Sequence, residues 1–320
     1  MTELFTPMSR TESPSYHDIP ASWRGVVREE TIREFARAVR NFHPAHRRED
    51  AAHRLGYSGL VAPPTFATVF LGHLYRELLH SPRTTITAAA SRVPHTAPRV
   101  LHADHVLDLA RPLLAGDRLE CRVHVESSRY FSDYEVLTIR SALVDGAGRA
   151  VHTGTTTVLG RVRAVTGSGG AEAFADRQQA ETALPHTDDR TLCTAVDFDT
   201  LAVGDQLPVQ LLEVSGADLA EYSYVTGLPS DEPSGMYEIG LATGYLTDWL
   251  GDPGAIGRLR TQVAPGVHGL RVRPGQRVRL ALRGRITALD RRRRAATLTV
   301  DLRCEGRRLF GYAAVEARFR

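Results

Sequence analysis

Two stretches of the chain carry the same succession of hydrophobic patterns. Ile32, Phe35, Ala36 and Val39 recur at three- and four-residue intervals, which predicts an amphipathic helix over 32–39. Leu219 to Val225 repeats that pattern, with Tyr222 in the place of Phe35. A more apolar helix is predicted next in each stretch, carrying Phe66, Val69, Phe70 and Leu74 in the first and Met236, Ile239, Leu246 and Leu250 in the second. The period then changes to two. Leu119, Cys121, Val123 and Val125 share one face, as do Val278, Leu280 and Leu282 and then Leu298, Val300 and Leu302. Short polar turns such as Asp145-Gly146-Ala147-Gly148 join these strands, which predicts an antiparallel meander. One long apolar helix per sheet buries both surfaces only if the sheet wraps around the helix, so the fold class is α+β, in two copies.

The copies are related by simple offsets. Phe35 and Tyr222 are 187 positions apart, whereas Gly116, in Leu114-Ala115-Gly116-Asp117, and Gly275, in Arg273-Pro274-Gly275-Gln276, are 159 apart. The second copy is therefore 28 residues shorter, and the loss falls between its first helix and its first long strand. Residues 163–194 are rich in Gly, Ala, Ser, Asp and Gln and have no sustained apolar period, so they read as a linker. Residues 1–20 read as a flexible lead-in, leaving one domain over 21–162 and another over 195–320.

Composition removes several chemistries. All 40 basic residues are arginine, so Schiff-base lysines, pyridoxal-phosphate lysines and phosphate-loop lysines are excluded. Cys121, Cys193 and Cys304 lie far apart without metal-type spacing, and no histidine set adds ligands, so neither a metal nor another cofactor is expected. A net charge of +3 gives no case for nucleic acid. The run Arg291 to Arg294 reads as a solvated hairpin turn or as a docking patch for an acidic carrier protein. No apolar run is long enough to span a membrane and the N-terminus lacks a signal pattern, so a cytoplasmic protein is expected.

The string Ile32 to Val39, Asn41, Pro44, His46, Ala51-Ala52, Leu55-Gly56 and Val61-Ala62-Pro63-Pro64-Thr65-Phe66 resembles the FAS1-dehydratase-like subclass of the MaoC-like family. Leu101-His102-Ala103-Asp104, Arg111-Pro112 and Ala115-Gly116-Asp117 continue the resemblance. The first half is also similar to the non-catalytic subunit of two-subunit (3R)-hydroxyacyl-carrier-protein dehydratases. The second, through Val203-Gly204-Asp205, Thr226-Gly227, Gly235-Met236 and Tyr245 to Trp249, is similar to the catalytic subunit. The resemblance implies a double hot-dog fold and action on a 3-hydroxyacyl or enoyl thioester, carried on coenzyme A or a carrier protein. It also implies an Asp and, five positions later, a His on a loop overhanging the helix, with a backbone N–H at the helix start. The imidazole would move the Cα proton, the carboxyl would handle the Cβ hydroxyl and the N–H would hold the thioester oxygen.

This chain departs from that pattern in both halves. The Asp position is Asn41 in the first half and Leu228 in the second; His46 keeps the His position, while Pro233 or nothing occupies it in the second. Pro64 replaces the N–H-bearing glycine of the first half, whereas Gly235 keeps it in the second. His46 and Asn41 thus stand either as base and orienting amide or as remnants on the surface of a retired site. Asp231 and Glu232, just before Gly235, are candidates to have taken over acid/base work. His73 is read on the apolar face of its helix, and with Tyr57, Tyr237 and Trp249 it is a candidate to line an acyl or aromatic pocket. Three functions follow: a hydratase or dehydratase working through His46; an isomerase or cyclase on a polyketide-like intermediate, using Asp231 or Glu232; and an inactive partner that supports a homologue or holds an acyl carrier protein. High Ala, Gly and Arg usage fits a GC-rich bacterial genome and, by association, polyketide or fatty-acid-like secondary metabolism. A homodimer is a further expectation.

Overall fold

The computed structural model describes residues 21–79, 100–131, 134–161, 196–228, 235–263, 270, 272 and 275–320. The lead-in and the linker read from the sequence lie outside the described residues. The first half runs β1 (Ala21–Val26), α1 (Glu29–Ala38), α2 (Glu49–Arg54), α3 (Thr68–Leu79), β2 (Val100–Leu109), β3 (Arg118–Phe131), β4 (Tyr134–Asp145) and β5 (Ala150–Arg161). The second runs β6 (Gln210–Ser215), α4 (Gly216–Thr226), α5 (Gly235–Leu250), β7 (Ile256–Val263), β8 (Arg277–Asp290), β9 (Ala295–Cys304), β10 (Arg307–Arg308) and β11 (Phe310–Arg318).

All these strands form one sheet in the order β1-β3-β4-β5-β2-β7-β11-β9-β8-β6, with β10 beside β9. The order reads the same from either end once β1 is matched with β6, β3 with β8, β4 with β9, β5 with β11 and β2 with β7. Antiparallel pairing of β2 with β7, from Asp104 opposite Gln262 to Asp108 opposite Arg258, joins the halves edge to edge. That pairing satisfies what would be two open edges. The architecture is α+β, a double hot-dog.

Alternation sets which face is covered. Leu119, Cys121, Val123 and Val125 are buried, as are Val278, Leu280, Leu282, Leu298, Val300 and Leu302, and each full burial contributes about 1.5–3 kcal/mol. Phe66, Phe70, Leu71 and Leu74 meet this face in the first half; Met236, Ile239, Ala242 and Leu246 join the same apolar core in the second. Three of the four clustered arginines have partners for their side chains, Arg293 pairing with Asp290 at 3.8 Å. Arg291 donates to the carbonyls of Phe198 (3.0 Å) and Leu201 (2.6 Å), and Arg294 pairs with Asp199 at 3.1 Å.

The pseudo-two-fold relation extends to the packing between the halves. Phe35 and Tyr222, matched by the sequence offset, face each other with ring centroids 6.2 Å apart, so they lie near the axis. Phe35 meets Phe66 edge-on at 5.6 Å, and Tyr222 meets Tyr237 edge-on at 5.2 Å. Each short helix crosses onto the long helix of the other half. A β-carbon on Gly72 of α3 would collide with the Thr226 carbonyl at the end of α4, and one on Gly240 of α5 would lie 2.7 Å from Val39 Cγ1 at the end of α1.

Candidate functional site

The overhang begins where α1 stops. The Asn41 N–H donates to the Ala36 carbonyl (2.8 Å) and the Arg40 N–H to that of Arg37 (3.0 Å), a helix-ending motif that needs a left-handed residue between them. Arg40 takes that conformation with φ 53°. The equivalent position in the second half, 187 residues on, is Gly227 with φ 70°, which adopts it without the roughly 1–2 kcal/mol cost of a side chain. Arg40 gives a bond in return: Nη2 donates to Asp218 Oδ1 of the other half at 2.5 Å, with both side chains largely covered. Asp218 also accepts from the Ser215 N–H (2.8 Å) and hydroxyl (2.6 Å), capping α4. Burial works to raise its pKa, but the bonds from Ser215 and Arg40 hold it below the ordinary carboxylate range. Arg40→Gly should therefore be close to neutral in urea denaturation, the relieved strain offsetting the lost pair. Asp218→Ala, which loses cap and pair together, should cost about 1–3 kcal/mol.

Two histidines follow in the turn 43–46. His43 Nδ1 accepts the Ala45 N–H (3.2 Å), which assigns the proton to Nε2, and that nitrogen donates to the Gly251 carbonyl just beyond α5 (3.1 Å). His43 is thus a neutral tether between the overhang and the end of the opposite helix. His46 is fully buried, so the reading of it as a surface remnant is corrected. Apolar Ala45, Ala52 and Val61 pack together beside it, and the Val61 N–H bonds the Ala45 carbonyl at 3.0 Å. His46 Nδ1 donates to the Val61 carbonyl at 2.6 Å, while Nε2 is buried without a hydrogen-bond partner. Burial pushes its pKa down to about 3, against the raising effect of that carbonyl, and His43 adds a smaller lowering. The ring is therefore neutral, with its open lone pair on Nε2.

Asn41 is fully buried as well. Its Oδ1 accepts the His43 N–H at 3.4 Å, leaving Nδ2 without a partner. It packs over α5 because Gly244 has no side chain: a β-carbon there would come within 3.3 Å of Asn41 Cβ. One helical turn earlier, Gly240 leaves the same kind of space 3.7 Å from Thr65 Oγ1, a third buried polar atom without a partner. An unmade bond at a buried polar group costs about 1–3 kcal/mol, so three in one region mark a place that a ligand can complete. The other half shows the contrast. Leu228 faces Gly72 where Asn41 faces Gly244, and its side chain offers neither donor nor acceptor.

The remaining sequence candidates are dispersed. Asp231 and Glu232 lie outside the described residues. Gly235 opens α5 and is buried. Tyr57 donates to Asp252 Oδ1 at 2.6 Å under the Arg320 guanidinium, tying α2 to the end of α5. Tyr237 is buried against Tyr222, and Trp249 is partly buried against the core. His73 is a correction: it is exposed, not on the apolar face, because the buried face of α3 runs through Phe70, Leu71, Leu74 and Tyr75 and leaves His73 at its margin, over Gly227. Sequence reasoning missed Thr65 and Glu238. Glu238 is fully buried in the first turn of α5, accepts the Leu270 N–H at 2.6 Å, and is pushed up to about 7 by burial, against that bond. The polar residue at the start of an otherwise apolar helix was the available signal. Among the described residues no cluster of three His, Cys, Asp or Glu could hold a metal, and no helix is long and apolar enough to cross a membrane.

Residues 17–154 match the family model for the FAS1-like dehydratase domain region. A UPF0336 protein of Mycobacterium leprae is 34% identical over 150 residues, 47% of this chain and 86% of the relative; one from Clavibacter michiganensis is 34% identical over 143 residues, 45% and 90%. A solved MaoC-like dehydratase superposes with a TM-score of 0.73 at 28% identity, covering 94% of this chain and 98% of its own. The chain belongs to the MaoC-like hot-dog dehydratase family. The shared fold extends to much lower identity: a Mycobacterium tuberculosis protein described as a double hot-dog superposes with a TM-score of 0.60 at 16% identity, over 96% of this chain and 98% of its own. Curated relatives at 34% identity align with less than half of this chain, whereas the MaoC-like dehydratase structure spans both halves.

Proposed function

We propose that this MaoC-like chain, built of hot-dog units over 21–162 and 195–320, interconverts 3-hydroxyacyl and 2-enoyl thioesters at the overhang of its first half. His46 is the base and Asn41 the orienting amide. The observation that carries this reading is the neutral, fully buried imidazole whose Nδ1–H is fixed on Val61 while Nε2 stays open. Such a ring accepts a proton at one defined atom. In the dehydration direction Nε2 takes the proton from Cα, the Cβ–O bond breaks, and the same proton leaves with the departing oxygen as water. Asn41 cannot ionise, but its Nδ2–H can donate to the β-oxygen and stabilise the charge growing there. Leu228 at the equivalent position supports a single working site.

The purified chain alone should hydrate but-2-enoyl-CoA and dehydrate 3-hydroxybutyryl-CoA, followed by loss or gain of enoyl absorbance. Absence of turnover on both, and on the matching carrier-protein thioesters, would move the chain to the inactive-partner reading.

A further inference from the structure

The reaction just proposed builds negative charge on the thioester oxygen, and the first half lacks the usual means of meeting it, because Pro64 has no N–H. The geometry points to the Thr65 hydroxyl as the donor to that oxygen, an inference that rests on the reading of His46 and Asn41 above. Thr65 is 1% exposed, and Oγ1 is without a hydrogen-bond partner. Its carbonyl is already committed, accepting the Thr68 N–H at 3.0 Å and the Thr68 hydroxyl at 2.8 Å. The hydroxyl is therefore a polar group that this residue leaves open.

Its placement gives the ligand class. Thr65 Oγ1 lies by Gly240 and Asn41 Cβ by Gly244, glycines about 6 Å apart along α5 at 1.5 Å rise per residue, so the two side chains lie along one stripe of that helix. Each reaches an oxygen about 2.9 Å away. Two donors on one stripe suit a ligand with two oxygens in a 1,3-relation, the thioester carbonyl and the β-oxygen of a 3-hydroxyacyl or 3-oxoacyl thioester. Thr65 O–H donates to the carbonyl oxygen, Asn41 Nδ2–H donates to the β-oxygen, and His46 Nε2 exchanges the Cα proton between them. Thr65 gives up no proton; it stabilises the enolate by a hydrogen bond that strengthens as charge develops. Gly240 is needed here for the approach of Val39, whose Cγ1 a β-carbon would meet at 2.7 Å, and it leaves the hydroxyl in open contact with the helix.

Thr65→Val removes the hydroxyl with little change in shape, and Thr65→Ser keeps it. With but-2-enoyl-CoA, Thr65→Val should lower kcat about 100-fold with KM changed less than about threefold, while Thr65→Ser stays within about threefold of the native rate. Thr65→Val should also melt no lower than the native protein, since it removes a buried group with nothing to bond. A purely structural threonine would show the reverse, a lower Tm with native kcat. Native kcat in Thr65→Val, in a protein whose His46→Ala variant is inactive, would overturn the inference and leave the proposed reaction standing. Calorimetry with acetoacetyl-CoA separates the remaining case. In a chain that shows no turnover, tenfold weaker binding by Thr65→Val upholds the site while the reaction fails, and unchanged or absent binding overturns both.

Discussion

His46→Ala is expected to lower the rate of enoyl-thioester hydration by about 10²- to 10⁴-fold, the range over which a positioned general base contributes. The loss should appear in kcat, because the Nε2 lone pair acts on the proton in flight and adds little to ground-state binding. The variant also leaves the Val61 carbonyl without its donor, a cost of about 1–3 kcal/mol, so its folding should be checked by circular dichroism before the rate is read. The pH profile gives a test on the unmodified protein. A histidine base near its ordinary 6.5 would bend the rate downward below that pH; with His46 held at about 3 by burial, no such bend should arise from it between pH 5 and 8. A rate insensitive to the alanine change would remove His46 from the chemistry.

The scaffold was legible in the sequence because it depends on patterns that tolerate substitution. Alternation in β3, β8 and β9 and helical spacing in α1, α4 and α5 each need only apolar residues at a fixed period. The offset of 187 identified Phe35 and Tyr222 as equivalents before either had a position in space. Their contact at the pseudo-axis depends on how two halves dock, which no local period encodes. The site was legible in part. Asn41 and His46 were found by their places in a loop motif, but the close cover over Asn41 comes from Gly244 on the other half, and small residues in a helix signal close approach without naming what approaches. Arg40 illustrates the same limit. Arginine at a left-handed helix end looks like an error locally and makes sense only with Asp218, 178 residues away. Thr65 had no sequence signature, since what distinguishes it is the absence of a partner in the folded chain. His73 failed for a simpler reason: the margin of a helix face lies within one residue of its centre, and the period alone cannot decide between them.

Acidification should destabilise the protein well above the pH at which carboxylates usually titrate, with stability already falling between about pH 6 and 5. Buried neutral histidines give the larger contribution. His46 at about 3 and His152 at about 4 stay unprotonated in the fold, while in the unfolded chain both take up protons as the pH falls through about 6.5. Across that window the unfolded state binds up to two more protons than the native state, so stability falls with falling pH. Glu238 has the opposite sign. Burial raises it from 4.5 to about 7, so between those values the native state holds one proton that the unfolded state has released. His43, also lowered by burial, adds to the same side, so the histidines outweigh the glutamate and stability falls with falling pH. The decomposition is open to a single substitution. Glu238→Gln removes the opposing group, so its stability should fall more steeply between pH 6 and 5. At pH 8, where the native carboxyl is ionised and buried, the same variant should be the more stable by about 1–3 kcal/mol, since its amide oxygen can still accept the Leu270 N–H. Urea unfolding at a series of pH values measures both. A native protein whose stability is flat or rises between pH 6 and 5, or a Glu238→Gln variant with an unchanged slope, would mean that these side chains are hydrated in the fold.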